Sequence, residues 1–253
     1  MNVLVCVKRV PMVGASLSVL ADERSLDTRF WGFTVSPHEE CAVEEAVRIG
    51  GASSRVLTLG PPEAVEQLRD ALALGIGSAL LLATDVEEWG PEATADAIAS
   101  AVRGEQDAGR APDLLLFGNE AADTGDYQVV VRVAHLLGMP CLTGVKSLTV
   151  DGASVLLGRE YAGAAESYRL PLPAVVGVRE GLNLPRYPSL PGRIRAKKAP
   201  VDSVTPRAGT DRLLTRRLHV PAGANRQAEI LGHGADAVPR IVEVLQTLGV
   251  VGR

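Results

Sequence analysis

Short apolar runs separated by helical periodicity limit most sharply what this chain can fold into. Val3 to Val7 is a continuous β-branched and apolar run, the pattern of a strand buried on both faces of a parallel sheet. Similar runs recur at Arg55 to Leu59, Ala79 to Ala83 and Leu114 to Phe117. Helices are expected between them. Ser36-Pro37-His38-Glu39 has the residues of an N-cap, a proline at the first helical position and a capping-box glutamate, and Gly50-Gly51 stops that helix. A second helix follows Gly60-Pro61-Pro62 and ends at Gly75, a third runs from about Pro91 to Arg103, and a fourth from about Asp126 to Leu137. This order predicts an α/β fold with a doubly wound, mostly parallel sheet.

After Pro140 the pattern changes. Asp151-Gly152 is a hairpin turn between Leu142–Val150 and Ser154–Arg159, and Ser167–Leu170 with Ala174–Val178 are two further short strands, all read as an antiparallel extension. The proline-rich stretch from Leu184 to Pro206 reads as an extended strap. A last amphipathic helix is expected over about Ala235 to Leu248. The domain reading is therefore an α/β domain over 1–192, a basic extended arm over 193–234 and a C-terminal helix over 235–253. Residues 8–35 have no readable pattern.

Charge excludes one class of partner and suggests another. The net charge of −4 provides no field to gather nucleic acid. It conceals an asymmetry: residues 193–226 carry nine basic side chains (Arg193, Arg195, Lys197, Lys198, Arg207, Arg212, Arg216, Arg217, Arg226) against Asp202 and Asp211, so the remainder carries −11. That stretch is either an arm for a protein partner or a solvated strap. Cys6, Cys41 and Cys141 are far apart and form no C-x-x-C pair, which suits a reducing cytoplasm. The N-terminal apolar run is too short for a signal peptide, and no run reaches membrane-spanning length, so no membrane insertion is expected.

The sequence has no Walker A, G-x-S-x-G, H-E-x-x-H or G-x-G-x-x-G motif, and its four histidines have no ligand-like spacing, so neither a hydrolase nor a metal site is expected. Candidate binding loops lie at the carboxyl ends of the parallel strands: Val7–Val13, Leu59–Pro62 and Gly118–Gln128. The last feeds a helix whose N-terminus suits a phosphate, although Asp123 and Asp126 would repel one unless only amides face it.

Several blocks together carry a resemblance. They are Val3–Val10, Ala42–Arg48, Gly60-Pro61 with Leu68–Gly75, Arg159-Glu160, Leu172–Val176, and Leu182-Asn183-Leu184-Pro185-Arg186-Tyr187-Pro188-Ser189-Leu190-Pro191 followed by Ala196-Lys197-Lys198. In order and spacing they resemble the β subunit of electron transfer flavoprotein over about residues 1–200. The resemblance assigns nucleotide binding to the α/β domain over 1–192, and implies an adenine nucleotide α-hydrolase-like fold and a heterodimer with an α subunit that holds most of a redox-active FAD. It also implies AMP or a second FAD in the β subunit, a flavin dehydrogenase or quinone oxidoreductase as redox partner, and no catalytic acid or base. The nucleotide contacts it implies are Cys6, Ser36, Pro37, His38, Glu39, Leu59, Gly60, Gly118, Asn119, Asp123, Thr124, Gly125, Asp126, Tyr127, Gln128 and Val129. Val13 and His38 are implied on the flavin side, and Leu182, Asn183, Leu184 and Pro185 at the docking loop, with Leu182 as its anchor. The chain departs from the pattern at Ser36 (asparagine in ordinary members), at Val129, which lacks the phosphate-binding hydroxyl, at Val13 and His38, where aromatics are usual, and at Leu184, which replaces an acid. A stand-alone adenine-nucleotide module and an ATP-using enzyme on a related fold remain the alternatives.

Overall fold

The computed structural model describes residues 1–12, 17–85, 89–207, 209–220 and 229–251. The chain divides into two compact units, Met1–Leu218 and His219–Arg253. The first is built on one nine-stranded sheet.

Its strands are β1 (Val3–Cys6), β4 (Arg55–Gly60), β5 (Ser78–Ala83), β6 (Leu114–Gly118), β7 (Cys141–Asp151), β8 (Ser154–Tyr161), β9 (Ala164–Pro171), β10 (Ala174–Val178) and β11 (Asp202–Val204), with β2 (Val10–Pro11) and β3 (Phe33–Thr34) forming a separate antiparallel pair. The sheet order is β11-β5-β4-β1-β6-β10-β7-β8-β9. The first seven are mutually parallel, β8 pairs antiparallel with β7, and β9 pairs antiparallel with β8. The helices are α1 (Pro37–Ile49), α2 (Val65–Leu74), α3 (Pro91–Asp107), α4 (Val129–Leu137) and α5 (Leu190–Lys198), with α6 (Val238–Thr247) in the second unit.

Successive strand residues point to opposite faces, so one apolar run supplies two cores. Val3, Val5, Leu114 and Leu116 pack with Ala42, Ala46 and Leu68 of α1 and α2. Leu4, Cys6, Leu115 and Phe117 pack with Ile98, Val102, Val130 and Val133 of α3 and α4. The result is the three-layer, doubly wound arrangement expected.

Three expectations are corrected. Ala174–Val178 is not part of the antiparallel extension but lies between β6 and β7, parallel to both. Its five residues are all buried, so it belongs where both faces are covered. Gly177 allows that approach, because a Cβ there would lie 3.2–3.3 Å from Thr143. The proline-rich stretch is not extended throughout: Ser189 caps α5 by accepting from Gly192 N–H at 3.1 Å, with proline in the first turn. Gly192 is required, since a Cβ would meet the Ala73 carbonyl oxygen at the end of α2. Further on, β11 joins the sheet beside β5. The fourth helix starts at Val129 rather than Asp126, because residues 121–126 close a turn of their own.

Candidate functional site

The strand order reverses between β1 and β6, from which the chain passes to β4 on one side and to β7 on the other. Ligands in open α/β sheets bind outside the carboxyl ends at such a point. Here the walls of the crevice are the residues after β1, the start of α1 and the loop from Gly118 to Gln128.

The capping box forms as expected, with Ser36 Oγ accepting from Glu39 N–H at 3.3 Å and Glu39 Oε2 accepting from Ser36 N–H at 2.8 Å. The same carboxylate has a second role: its Oε1 accepts from the backbone N–H of Lys8 at 2.6 Å, tying the end of β1 to the start of α1. Burial pushes the Glu39 carboxyl up to about 7, against the pull of those amides and of the Lys8 charge. Gly118 completes this junction: a Cβ there would lie 2.8 Å from Glu39 Cγ.

The Gly118–Gln128 loop turns its polar groups inward. Asn119 donates its N–H to Val178 O at 2.9 Å, and its Oδ1 accepts from Gly144 N–H at 2.6 Å, joining the loop to β10 and β7. Ala121 and Asp126 bridge the base of a tight turn, with Gly125 at φ 65°. Asp123 accepts from Thr124 N–H at 2.9 Å and pairs with the Lys8 ammonium at 2.7 Å. Asp126 Oδ1 accepts from Gln128 N–H at 2.6 Å. Both aspartates are thus engaged within the chain. Gln128 makes no side-chain cap at α4, so the first amides of that helix, from Val129 onward, have no partner within it. Val129 supplies no hydroxyl but still presents its N–H. Tyr127 is exposed.

The remaining candidates fall into three groups. His38, half-buried at the second position of α1, accepts Glu180 N–H on Nδ1 at 2.7 Å; its neutral ring then carries the proton on Nε2, 3.7 Å from Glu120 Oε1. Cys6 is buried and packs in the α3–α4 core, and burial followed by the Glu39 charge pushes its thiol well above the ordinary thiol range. Leu59 packs on the same core, and Gly60 accepts Thr84 N–H at 3.0 Å at the end of β4. Val13 lies outside the described residues.

The loop after β10 is clamped to α1 by buried acids. Arg186 grips Glu44 with Nε and Nη2, each at 2.8 Å, and Arg48 adds a third guanidinium contact at 2.8 Å. Burial raises the Glu44 carboxyl, and the two guanidiniums more than offset this, holding it below its usual value. Asn183 Nδ2 donates to Cys41 O at 3.0 Å and Glu45 Oε2 at 2.9 Å. Leu182 is half-buried and packs on the α1–α2 core, so it is not displayed as a docking anchor. The exposed apolar side chains are Leu184 (85%), Tyr187 (95%) and Leu190 (71%).

Sequence reasoning placed Lys8 and Glu120 in candidate binding loops without giving either side chain a role, and missed Glu180. Their only sequence signal is a charge immediately beyond the end of a parallel strand. Part of the basic stretch also serves the chain itself: Arg212 grips Glu92 at 2.6 and 3.0 Å, Arg217 reaches Glu23 at 3.1 Å, and Asp211 caps α3 through Gly90 and Ala93 N–H at 2.8 and 3.0 Å. Arg226 lies outside the described residues. Among the described residues no cluster of three or more His, Cys, Asp or Glu is arranged to hold a metal, and no helix is long and apolar enough to cross a membrane.

A doubly wound sheet with polar loops gathered at its switch point defines an open α/β protein of the class that binds ligands beyond the carboxyl ends of its strands. The family model described as "Electron transfer flavoprotein domain" matches residues 32–208. The chain is 32% identical over 209 residues to an electron transfer flavoprotein subunit beta of Bacillus subtilis, covering 81% of this chain and 79% of that one. It is 34% identical over 211 residues to one of Bradyrhizobium diazoefficiens (81% and 82% covered), and 31% identical over 257 residues to that of Homo sapiens, with 98% of both covered. The chain belongs to the electron transfer flavoprotein β-subunit family.

Proposed function

We propose that this chain is the β subunit of a cytoplasmic electron transfer flavoprotein heterodimer, which helps an α subunit hold FAD, binds an adenine nucleotide in its own crevice and docks redox partners. One observation carries the reading: the family match spans the start of α1, the Gly118–Val129 loop and the Leu182–Pro185 loop.

The crevice fits the phosphate of AMP, or the adenylate half of a second FAD. The amides of Val129 and the residues after it are uncapped, Asp123 and Asp126 are engaged elsewhere, and the pinned junction of Ser36, Glu39 and Gly118 forms the opposite wall. His38, oriented by Glu180 N–H, is the residue of this chain assigned to the flavin side. A bound FAD supplies reversible electron storage, and the protein supplies position and partner geometry. Docking is assigned to Leu184, Tyr187 and Leu190, with Leu182, Asn183 and Pro185 as the support beneath them. A dehydrogenase or quinone oxidoreductase flavoprotein is the partner class.

The test is to produce the full chain with and without a flavoprotein α subunit, record the absorption spectrum, and identify the nucleotide released on denaturation. A yellow heterodimer that releases FAD together with AMP, or more than one FAD, supports the reading. A colourless monomer that hydrolyses ATP overturns it.

A further inference from the structure

Lys8, through its backbone and its side chain together, joins three walls of the crevice. It follows β1 directly, its backbone N–H is held by Glu39 at the start of α1, and its ammonium lies 2.7–2.8 Å from both carboxylate oxygens of Asp123 in the loop after β6. The two side chains are partly exposed, Lys8 34% and Asp123 19%, so the pair is screened by solvent and its strength depends on salt. Asp123 sits in the turn closed by Ala121 and Asp126, a few residues before α4. Unpaired there, its negative charge would oppose an anionic ligand in the crevice, whereas Asp126 is already engaged by Gln128 N–H and Glu120 faces His38.

We infer that Lys8 is a positioning residue for the anionic ligand of this crevice: it neutralises Asp123 and so makes the Gly118–Gln128 loop compatible with a phosphate. The inference rests on the nucleotide reading above. A purely mechanical role, in which Lys8 merely fastens the loop, makes a different prediction once the carboxylate is removed. Charge neutralisation predicts that removing both partners restores binding; fastening predicts that it does not.

The test is AMP binding by calorimetry on the full chain, with thermal melts confirming that each variant is folded. Lys8→Met should weaken AMP about tenfold, more at low salt than at high. Lys8→Met with Asp123→Asn should return to within about threefold of the parent. Asp123→Asn alone, which leaves the ammonium unpaired, should tighten binding and serves as the readout if Lys8→Met fails to fold. Unchanged affinity in Lys8→Met, no restoration in the double variant, or weaker binding in Asp123→Asn would each overturn the inference while leaving the nucleotide reading intact. A parent chain that binds neither AMP nor FAD would overturn that reading and the inference with it.

Discussion

Two of the three buried glutamates of helix α1, about one turn and a half apart, solve the cost of burial in opposite ways. Glu39 faces amides: Ser36 and Lys8 donate backbone N–H groups to it, and its carboxyl rises to about 7. Glu44 faces guanidiniums, Arg186 and Arg48, and its carboxyl falls below the ordinary value. Full charges outweigh desolvation, whereas neutral donors only moderate it. Glu39 holds the crevice and Glu44 holds the loop after β10, so the two fastenings of one helix respond to pH with opposite sign.

The largest expected effect tests Glu39. Because its folded value lies above its unfolded value, the folded state holds a proton that the unfolded state has lost between pH 4.5 and about 7. Stability should therefore fall as pH rises through that window, by up to about 3 kcal/mol from this group, then level off. Glu39→Gln should lack that decline, so its gap to the parent in urea unfolding should narrow with rising pH. A constant gap would show that Glu39 titrates normally. Glu44 has the reverse linkage: its contribution is present above its unfolded value and is lost as pH falls through the lower folded value.

A smaller effect is expected at the second fastening. Arg186→Ala removes two side-chain hydrogen bonds to the Glu44 carboxylate but leaves the backbone N–H of residue 186 and Arg48 in place, so it should cost about 2 kcal/mol in urea unfolding, below the range for stripping a buried acid of its whole partner set. A loss within experimental error would mean that Arg48 suffices and that the loop is held by Asn183 alone. The smallest effect separates the two leucines of that loop. Leu184→Ser should alter stability by less than about 0.5 kcal/mol, while Leu182→Ser, which exposes part of the α1–α2 core, should cost about 1–2 kcal/mol. In the proposed heterodimer, reduction by the redox partner should slow in Leu184→Ser; equal rates would move docking elsewhere.

Much of this was legible in the order of residues. Ser36-Pro37-His38-Glu39 stated the α1 start and its capping box, because caps depend on neighbours within one turn. The Gly118–Gln128 loop could be identified as a binding loop from its position after an apolar run. Other features were obscured by a competing local signal. Ser189 with Pro191 is a helix start, hidden among prolines that also suit extended chain, and Ala174–Val178 looked like one more short strand of the hairpin series, although its wholly apolar run is the mark of a buried parallel strand.

What the sequence determined by itself was whatever depends on residues a few positions apart: the strands, the caps, the hairpin at Asp151-Gly152 and the family. The tertiary structure decided which distant groups meet. Only the fold places Lys8 against Asp123, Glu44 against Arg186, and β10 between β6 and β7; only the fold packs Leu182 half-buried on the core while exposing Leu184 two residues on. The physical reason is range: capping and periodicity are encoded over one or two turns, whereas burial and ion pairing depend on surfaces brought together from across the chain.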